Sequence, residues 1–153
     1  MDPTAKNLFT MYNIKASLGT EKKDAAWTYS ELAEGFDNVS EALNEVVQQY
    51  FFLSDGGFAR NHVTGMAPAF TFTGRRVQGD AAQDYIFSKK YGLGTERESS
   101  FKLEITDNSG AAPATKTLTC SCTLCNIQEY SGASTDDSAI SVEIRFNGKP
   151  TLA

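Results

Sequence analysis

The sequence predicts a mainly β fold: two packed antiparallel sheets forming a sandwich-like barrel, with one α-helix on its flank. Three observations lead to this prediction. Several segments alternate apolar and polar residues with the period of two that turns one face of a strand toward a core. One segment combines helix-capping residues with an apolar stripe. Clusters of glycine, aspartate and asparagine separate the segments and indicate turns.

The composition is that of an ordinary globular protein. The 153 residues suit a single domain over residues 1–153, and 41% of them are hydrophobic and 22% charged. The net charge of −5 argues against a protein that grips nucleic acid through a basic face. No apolar run approaches the roughly 18 residues of a membrane span, and no signal-peptide pattern is visible. We therefore expect synthesis in the cytosol and no membrane span.

Alternation is clear near both ends of the chain. A first strand carries its apolar residues at every second position up to Leu18, and we expect Gly19 to end it before a charged turn at residues 21–24. Trp27 and Tyr29 begin a second extended stretch. The phase of the alternation slips after Leu124, which suggests a β-bulge. Later strands are predicted around residues 70–72, 101–105, 118–124 and 139–146.

The segment over residues 40–53 is ambiguous. Leu43, Val46, Val47 and Tyr50 lie at helical spacing, so periodicity slightly favours a helix. The β-rich run from Tyr50 and the turn signal Ser54-Asp55-Gly56-Gly57 favour a strand instead.

One helix is predicted over residues 81–91. Asp80 is a good N-cap residue, and Gln83 follows three positions later as in a capping box. Lys89 and Lys90 are expected in the last turn, with Gly92 just beyond it. We expect the core to contain Phe70, Phe72, Ile86, Phe101, Leu103, Ile140, Val142, Ile144 and Phe146.

The three cysteines, Cys120, Cys122 and Cys125, could form a metal or redox site because C-x-x-C is a known zinc spacing. Core packing is the stronger interpretation, since Cys120 and Cys122 share a strand face with leucines and buried free cysteine behaves as a small hydrophobe. The remote His62 is expected in a loop or on the surface, without catalytic duty. Arg75-Arg76 is expected at a solvated strand end or in a salt bridge between subunits. No catalytic constellation is recognisable, so we predict no enzyme and no cofactor.

Ordered motifs in the second half of the chain resemble the tail tube proteins of tailed bacteriophages. The run His62-Val63-Thr64-Gly65-Met66-Ala67-Pro68-Ala69-Phe70-Thr71-Phe72 resembles that family's V-T-G-x-A-P strand entry. Gln78-Gly79-Asp80, followed by a helix with Asp84-Tyr85-Ile86, is similar to its G-D-P-V-F-x-x-I pattern, although Ala81-Ala82 replaces Pro-Val. The ending Asn147-Gly148-Lys149-Pro150 is similar to its N-G-x-P. The resemblance covers about residues 46–150 and favours the strand interpretation of residues 40–53.

The resemblance implies a structural virion protein of the tail, assembled in the host cytoplasm. It implies hexameric rings that stack into a tube around a tape measure protein, with tail terminator and baseplate or distal tail proteins as further partners. Double-stranded DNA would later pass through the lumen without sequence-specific binding. A long flexible tail, a contractile tail and a tail-like bacteriocin are all compatible with it. The alternative is a soluble small-molecule or metal-binding β-barrel that uses the cysteine cluster.

The resemblance also implies candidate assembly residues. A loop between subunits or between rings is expected in the connection over residues 54–63, with an ordinary solvent hairpin as the alternative. Lumen-facing residues are expected on the polar faces of strands, with an outer face equally open. The loop candidates are Asp55, Gly56, Gly57, Phe58, Arg60, Asn61 and His62, and the lumen candidates are Thr71, Thr73, Glu143 and Arg145.

Overall fold

A computed structural model describes residues 6–153 of the chain. Its one α-helix, α1, spans Ala81–Ser88. Short 3₁₀ turns lie at Met11–Asn13, Leu53–Asp55 and Gly94–Arg97. None of the helices in this part of the chain is long and apolar enough to cross a membrane. The strands are β1 (Ile14–Lys23), β2 (Ala26–Glu31), β3 (Phe36–Ala42), β4 (Val46–Tyr50), β5 (Arg60–Gly65), β6 (Ala69–Arg75), β7 (Glu98–Asp107), β8 (Ala114–Gln128), β9 (Ala139–Phe146) and β10 (Thr151–Leu152).

All strand pairs are antiparallel. Eight strands form one sheet in the order β2-β1-β7-β8-β9-β6-β3, with β10 paired to β8. The remaining two strands, β4 and β5, pair only with each other. The predicted mainly β fold with a single flanking helix is thus confirmed, with one large antiparallel sheet and one small one.

The large sheet curls so that its two halves pack against each other. β7 and β6 are separated in the sheet by β8 and β9, so a flat sheet would hold them about 14 Å apart. Yet the ring centroids of Phe101 on β7 and Phe70 on β6 lie 5.5 Å apart. Phe72 on β6 lies 6.0 Å from Phe101, and Phe36 on the edge strand β3 lies 5.8 Å from Phe72. The aromatic cluster therefore joins strands from both halves, as in a sandwich-like barrel.

The predicted core is confirmed almost completely. Eight of the nine predicted residues are buried, and Phe146 is half-buried and packs against them. Strand alternation explains this success, because Ile140, Val142 and Ile144 all point to one face of β9. The core also contains Leu18, Leu124 and three helix residues, Ala82, Ile86 and Phe87.

The helix is capped as predicted but is shorter than predicted. The Asp80 carboxylate accepts a hydrogen bond from the backbone N–H of Gln83 at 3.1 Å. The helix ends at Ser88 rather than at residue 91, because the N–H of Lys89 donates to the carbonyl of Ile86, three residues back, at 3.1 Å. This tightening of the last turn is common at helix ends. Lys89 is therefore the C-cap residue, and Lys90 lies outside the helix.

Gly19 does not end the first strand, contrary to the prediction. β1 continues to Lys23, and the turn to β2 is made by Asp24 and Ala25, both with positive φ. The glycine is needed for a different reason: a Cβ on Gly19 would lie 2.6 Å from the ring of Trp27 on the paired strand. The aromatic ring thus occupies the space that a side chain at this position would fill.

Residues 40–53 contain no α-helix. β3 ends at Ala42 and β4 spans Val46–Tyr50, so the strand interpretation is confirmed. The helical spacing of Leu43, Val46, Val47 and Tyr50 has no structural meaning, since all four side chains are exposed. The predicted β-bulge after Leu124 is also present, as a register shift between Cys125 and Gln128 where β8 pairs with β9.

Candidate assembly surfaces

A two-stranded ribbon, which we call the arm (residues 43–66), stands clear of the core. In β4 every residue is exposed, and in β5 all but Gly65 are. The arm begins where β3 ends and returns where β6 starts, and its base is closed by a 2.9 Å hydrogen bond from the Ala67 N–H to the Leu43 carbonyl. An isolated hairpin is only marginally stable in water, and stable strand pairs normally pack against a further element. The arm therefore presents a surface that lacks a packing partner among residues 6–153.

The arm carries a dense group of exposed apolar side chains around its tip. Phe51 is 66% exposed and Phe58 78% exposed, and Leu53 between them is fully exposed. Tyr50 and Phe52 stack on each other with ring centroids 5.6 Å apart. Contiguous exposed apolar surface on a folded protein marks a binding site, because its burial on association is favourable.

The predicted loop residues lie at this tip and along β5. Asp55 ends a 3₁₀ turn, and Gly56 and Gly57 both adopt positive φ, which glycine tolerates best. Asp55 and Arg60 are brought together, with Arg60 Nη2 donating to Asp55 Oδ1 at 2.9 Å. The remaining candidates do not converge on one point: Phe58 is exposed at the tip, Asn61 accepts from Gln49, and His62 lies opposite Gln48.

The four lumen candidates share one polar face of the large sheet. Thr71 and Thr73 alternate with buried phenylalanines on β6, and Glu143 and Arg145 alternate with buried aliphatic residues on β9. Thr71 lies directly opposite Glu143. Glu143 and Arg145 form an ion pair, and that hydrogen bond raises the pKa of Arg145 above its ordinary value. The face is thus polar, with its charges paired locally.

The large sheet has two free edges within the described residues. β2 pairs only with β1, and β3 pairs only with β6. An unpaired strand edge offers backbone N–H and C=O groups to another chain. β3 also carries Asp37 and Glu41, two exposed carboxylates of the kind that discourages indiscriminate edge pairing.

The cysteines pack as the stronger interpretation predicted. All three are free thiols, Cys120 and Cys122 are buried and Cys125 is half-buried. Burial raises the pKa of the Cys122 thiol to about 12, so this group stays protonated near neutral pH and is a poor metal ligand. Among residues 6–153, no group of three or more His, Cys, Asp or Glu side chains is placed to hold a metal ion.

A cluster of charged side chains beside the helix was not predicted from the sequence. Arg76, expected at a solvated strand end or between subunits, pairs within the chain with Glu129 and Asp84, each at 2.8 Å. Lys90 also contacts Glu129, at 2.6 Å. Burial acts to raise the pKa of Glu129, but hydrogen bonds from Lys90 and Arg76 outweigh it and hold that pKa below its ordinary value. The four residues are scattered along the sequence, so no local pattern could have revealed the cluster.

Gln83 also has a role that its capping-box spacing did not suggest. Its fully buried amide oxygen accepts from the Val77 N–H at 2.8 Å. Its amide nitrogen donates to the carbonyls of Glu34 at 2.9 Å and Arg75 at 3.0 Å. The side chain therefore fastens the helix to the segment before β3 and to the end of β6.

Sequence comparison identifies no relative: no protein-family model matches the chain, and no curated protein matches it. Solved structures do match. The tail of an empty gene transfer agent particle, determined with C6 symmetry, gives a TM-score of 0.70 at 11% identity, over 94% of this chain and 98% of that one. The SPP1 tail tube gives 0.66 at 16% identity, over 95% and 78%. The sheath–tube complex of an extracellular contractile injection system, PVC, gives 0.61 at 12% identity, over 98% and 94%.

These comparisons identify the fold of the chain. Over nearly its whole length, the chain has the fold of subunits from phage tail tubes and contractile injection systems. The resemblance that the sequence motifs indicated is thereby confirmed at the level of the fold.

Proposed function

We propose that this chain is a tail tube subunit: a structural virion protein that assembles with copies of itself into stacked hexameric rings. The observation that carries the proposal is the arm, an apolar ribbon that has no packing partner in the described part of the chain, on a chain with the tail-tube fold. The C6 symmetry of the gene transfer agent tail supports six subunits in a ring. Closed rings would also occupy the free edges of β2 and β3.

The arm is the proposed contact between subunits or between rings. Its tip holds Asp55, Gly56, Gly57, Phe58 and Arg60, with Asn61 and His62 along β5. Burying the exposed aromatic groups on a neighbour supplies the driving force, at roughly 25 cal/mol for each Å² of apolar surface removed from water. The bond between Asp55 and Arg60 holds the tip turn in shape before contact.

The polar face of β6 and β9 is the proposed lumen surface. Thr71 and Thr73 offer small hydroxyl groups, and Glu143 and Arg145 neutralise each other. Such a surface neither grips DNA phosphates as a basic groove does nor repels them strongly. It suits double-stranded DNA that moves through the tube toward the host without sequence-specific binding.

The proposal places the protein in the tail of a virion, after assembly in the host cytoplasm. Tape measure, tail terminator and baseplate or distal tail proteins are the implied partners. It assigns the chain no enzymatic activity. The burial of the free thiols of Cys120 and Cys122 and the raised pKa of Cys122 favour packing over the metal-binding alternative.

Negative-stain microscopy of the concentrated, purified chain tests this function. We expect the unaltered protein and a Leu152→Ser control to form hollow tubes, because Leu152 is exposed far from the arm in sequence. A Phe51→Ser/Phe58→Ser variant should keep its unfolding midpoint yet form no tubes. A wild-type chain that stays monomeric at all concentrations, also with tail initiator components, would contradict the proposal.

A further inference from the structure

An apolar groove of about 480 Å³ opens between the two free ends of the curled sheet. It lies where the sheet fails to close on itself, between β1 and the segment leading into β3. The groove walls are formed by Met11, Ala16, Leu32, Phe36, Val39 and Phe72. This volume lies within the range of roughly 300–1,000 Å³ typical of pockets that bury an apolar ligand.

The groove runs along the first four residues of β3, and the arm leaves the same strand at its last residue. Phe36 begins β3, and the groove is lined by the first residues of this strand up to Val39. The arm leaves β3 after its last residue, Ala42, roughly 10 Å beyond Val39 along the strand. No arm residue lines the groove of its own chain. A groove along the start of the strand and an arm at its end are arranged for head-to-tail contact between copies, which generates an open stack.

The chemistry of the two surfaces is complementary. The groove is apolar inside, and the carboxylates of Glu31 and Asp37 stand among its lining residues. The arm tip offers exposed aromatic side chains, and beside them Arg60, whose guanidinium lies 5.5 Å from the Phe52 ring. Arg60 remains 64% exposed although it pairs with Asp55. In protein–protein interfaces, aromatic side chains typically fill apolar pockets near the centre, and charged residues lie at the rim.

We propose that the arm tip of one copy docks into the groove of the next copy, with Phe51, Leu53 and Phe58 entering it and Arg60 facing Glu31 and Asp37. The inference rests on the proposed tube function and adds the receiving surface. It makes each junction heterologous, because one copy contributes an arm and its neighbour a groove.

Filling the groove tests the inference. Ala33 lines the groove and is exposed, so Ala33→Trp should fill it without disturbing the core. Ala112→Trp, at another exposed alanine, is the matched control. We expect the control to form tubes and Ala33→Trp to stop at rings or monomers with an unchanged unfolding midpoint.

Cross-linking between two differently labelled chains identifies the contact directly. Phe58→Cys on one chain and Ala33→Cys on the other, both in a Cys125→Ser background, should give a disulfide-linked dimer under assembly conditions. Neither chain alone should do so, nor should Phe58→Cys mixed with Ala112→Cys. Dimers in either single-chain sample would indicate a symmetric contact and overturn the inference.

The outcomes separate the two proposals. Tubes from the wild type together with normal tubes from Ala33→Trp and no cross-link would overturn the groove as receiving site while leaving the tube function intact. Failure of the wild type to assemble at all would overturn both. Loss of tubes in Ala33→Trp together with the specific cross-link supports both.

Discussion

Excising the arm separates folding from assembly. Leu43 and Ala67 are already joined by a 2.9 Å hydrogen bond, and Asn44 already has a positive φ of 49°. Replacing residues 45–66 by a single glycine creates the sequence Leu-Asn-Gly-Ala at this point. Asn-Gly is the preferred pair for a two-residue hairpin turn, so β3 and β6 should be connected without strain.

The excised segment contributes no buried residue, so the change in stability follows from chain entropy. Shortening the connection from residues 44–66 to two residues reduces the closure entropy by up to roughly 2 kcal/mol, from 1.5RT times the logarithm of the length ratio. In the unaltered protein, the pairing of β4 with β5 already offsets part of this entropy cost, so the gain in stability on excision is smaller than the full value. We therefore expect the free energy of unfolding to stay the same or to rise by up to about 2 kcal/mol.

Fluorescence of the single tryptophan, Trp27, measures the result in urea, because this residue packs over Gly19 in the large sheet and not on the arm. The variant should unfold at the same or a higher urea midpoint and should form no tubes in negative stain. A clear fall in the midpoint would show that the arm stabilises the core, and normal tubes would show that it is not an assembly contact. Either result refutes the reasoning.

Three further experiments, two with substitutions and one with a thiol reagent, test other parts of the molecule. Gln83→Leu removes a fully buried amide that bonds the N–H of half-buried Val77 and the carbonyls of the exposed residues Glu34 and Arg75, so urea unfolding should show a loss of about 1–3 kcal/mol, against little change for the exposed control Gln78→Leu. A thiol reagent at pH 8 should modify the half-buried Cys125 first and leave Cys122, whose pKa is raised to about 12, unmodified until the protein unfolds; equal rates would contradict the structure. The folded pKa of Glu129 is lowered, so its stabilising effect is full above the unfolded value of 4.5 and is lost as the pH falls through the folded value. The stability difference between wild type and Glu129→Gln should shrink correspondingly on acidification, and a difference independent of pH would count against the ion pairs.

Strand alternation predicted the core because burial of one sheet face is a local property of the sequence. Phe101 and Leu103 on β7, and Ile140, Val142 and Ile144 on β9, occupy every second position of their strands and are buried. β3 gave no such signal: only Phe36 and Val39 of its seven residues are half-buried, and a register shift interrupts its pairing with β6. Its identity as an edge strand depends on a partner 27 to 38 positions away in the chain, from Ala42↔Ala69 to Phe36↔Gly74, and periodicity cannot reveal such a partner.

The candidate surfaces were predictable only in part. The turn signal at Gly56-Gly57 located the arm tip, and alternation placed Thr71 and Glu143 on one face. The separation of the arm from the core was not visible, because Val46, Val47 and Tyr50 look like core residues in sequence. Exposed apolar residues that assembly buries obey the same compositional rules as a core, so sequence periodicity confuses the two.

The arm and the free edges would be a hazard for a chain that had to remain alone, because both favour uncontrolled association. The net charge of −5 and the edge carboxylates of β3 act against it by mutual repulsion. A single arm tip in a single groove also buries little surface compared with the roughly 1,200–2,000 Å² of a stable interface, so one such contact is weak. In the proposed tube, six such contacts made together between two rings would act at high effective concentration and would be strong. On this proposal, growth requires a ring that is already closed, and a dilute chain with an exposed aromatic arm would therefore stay dispersed until a tube has been started.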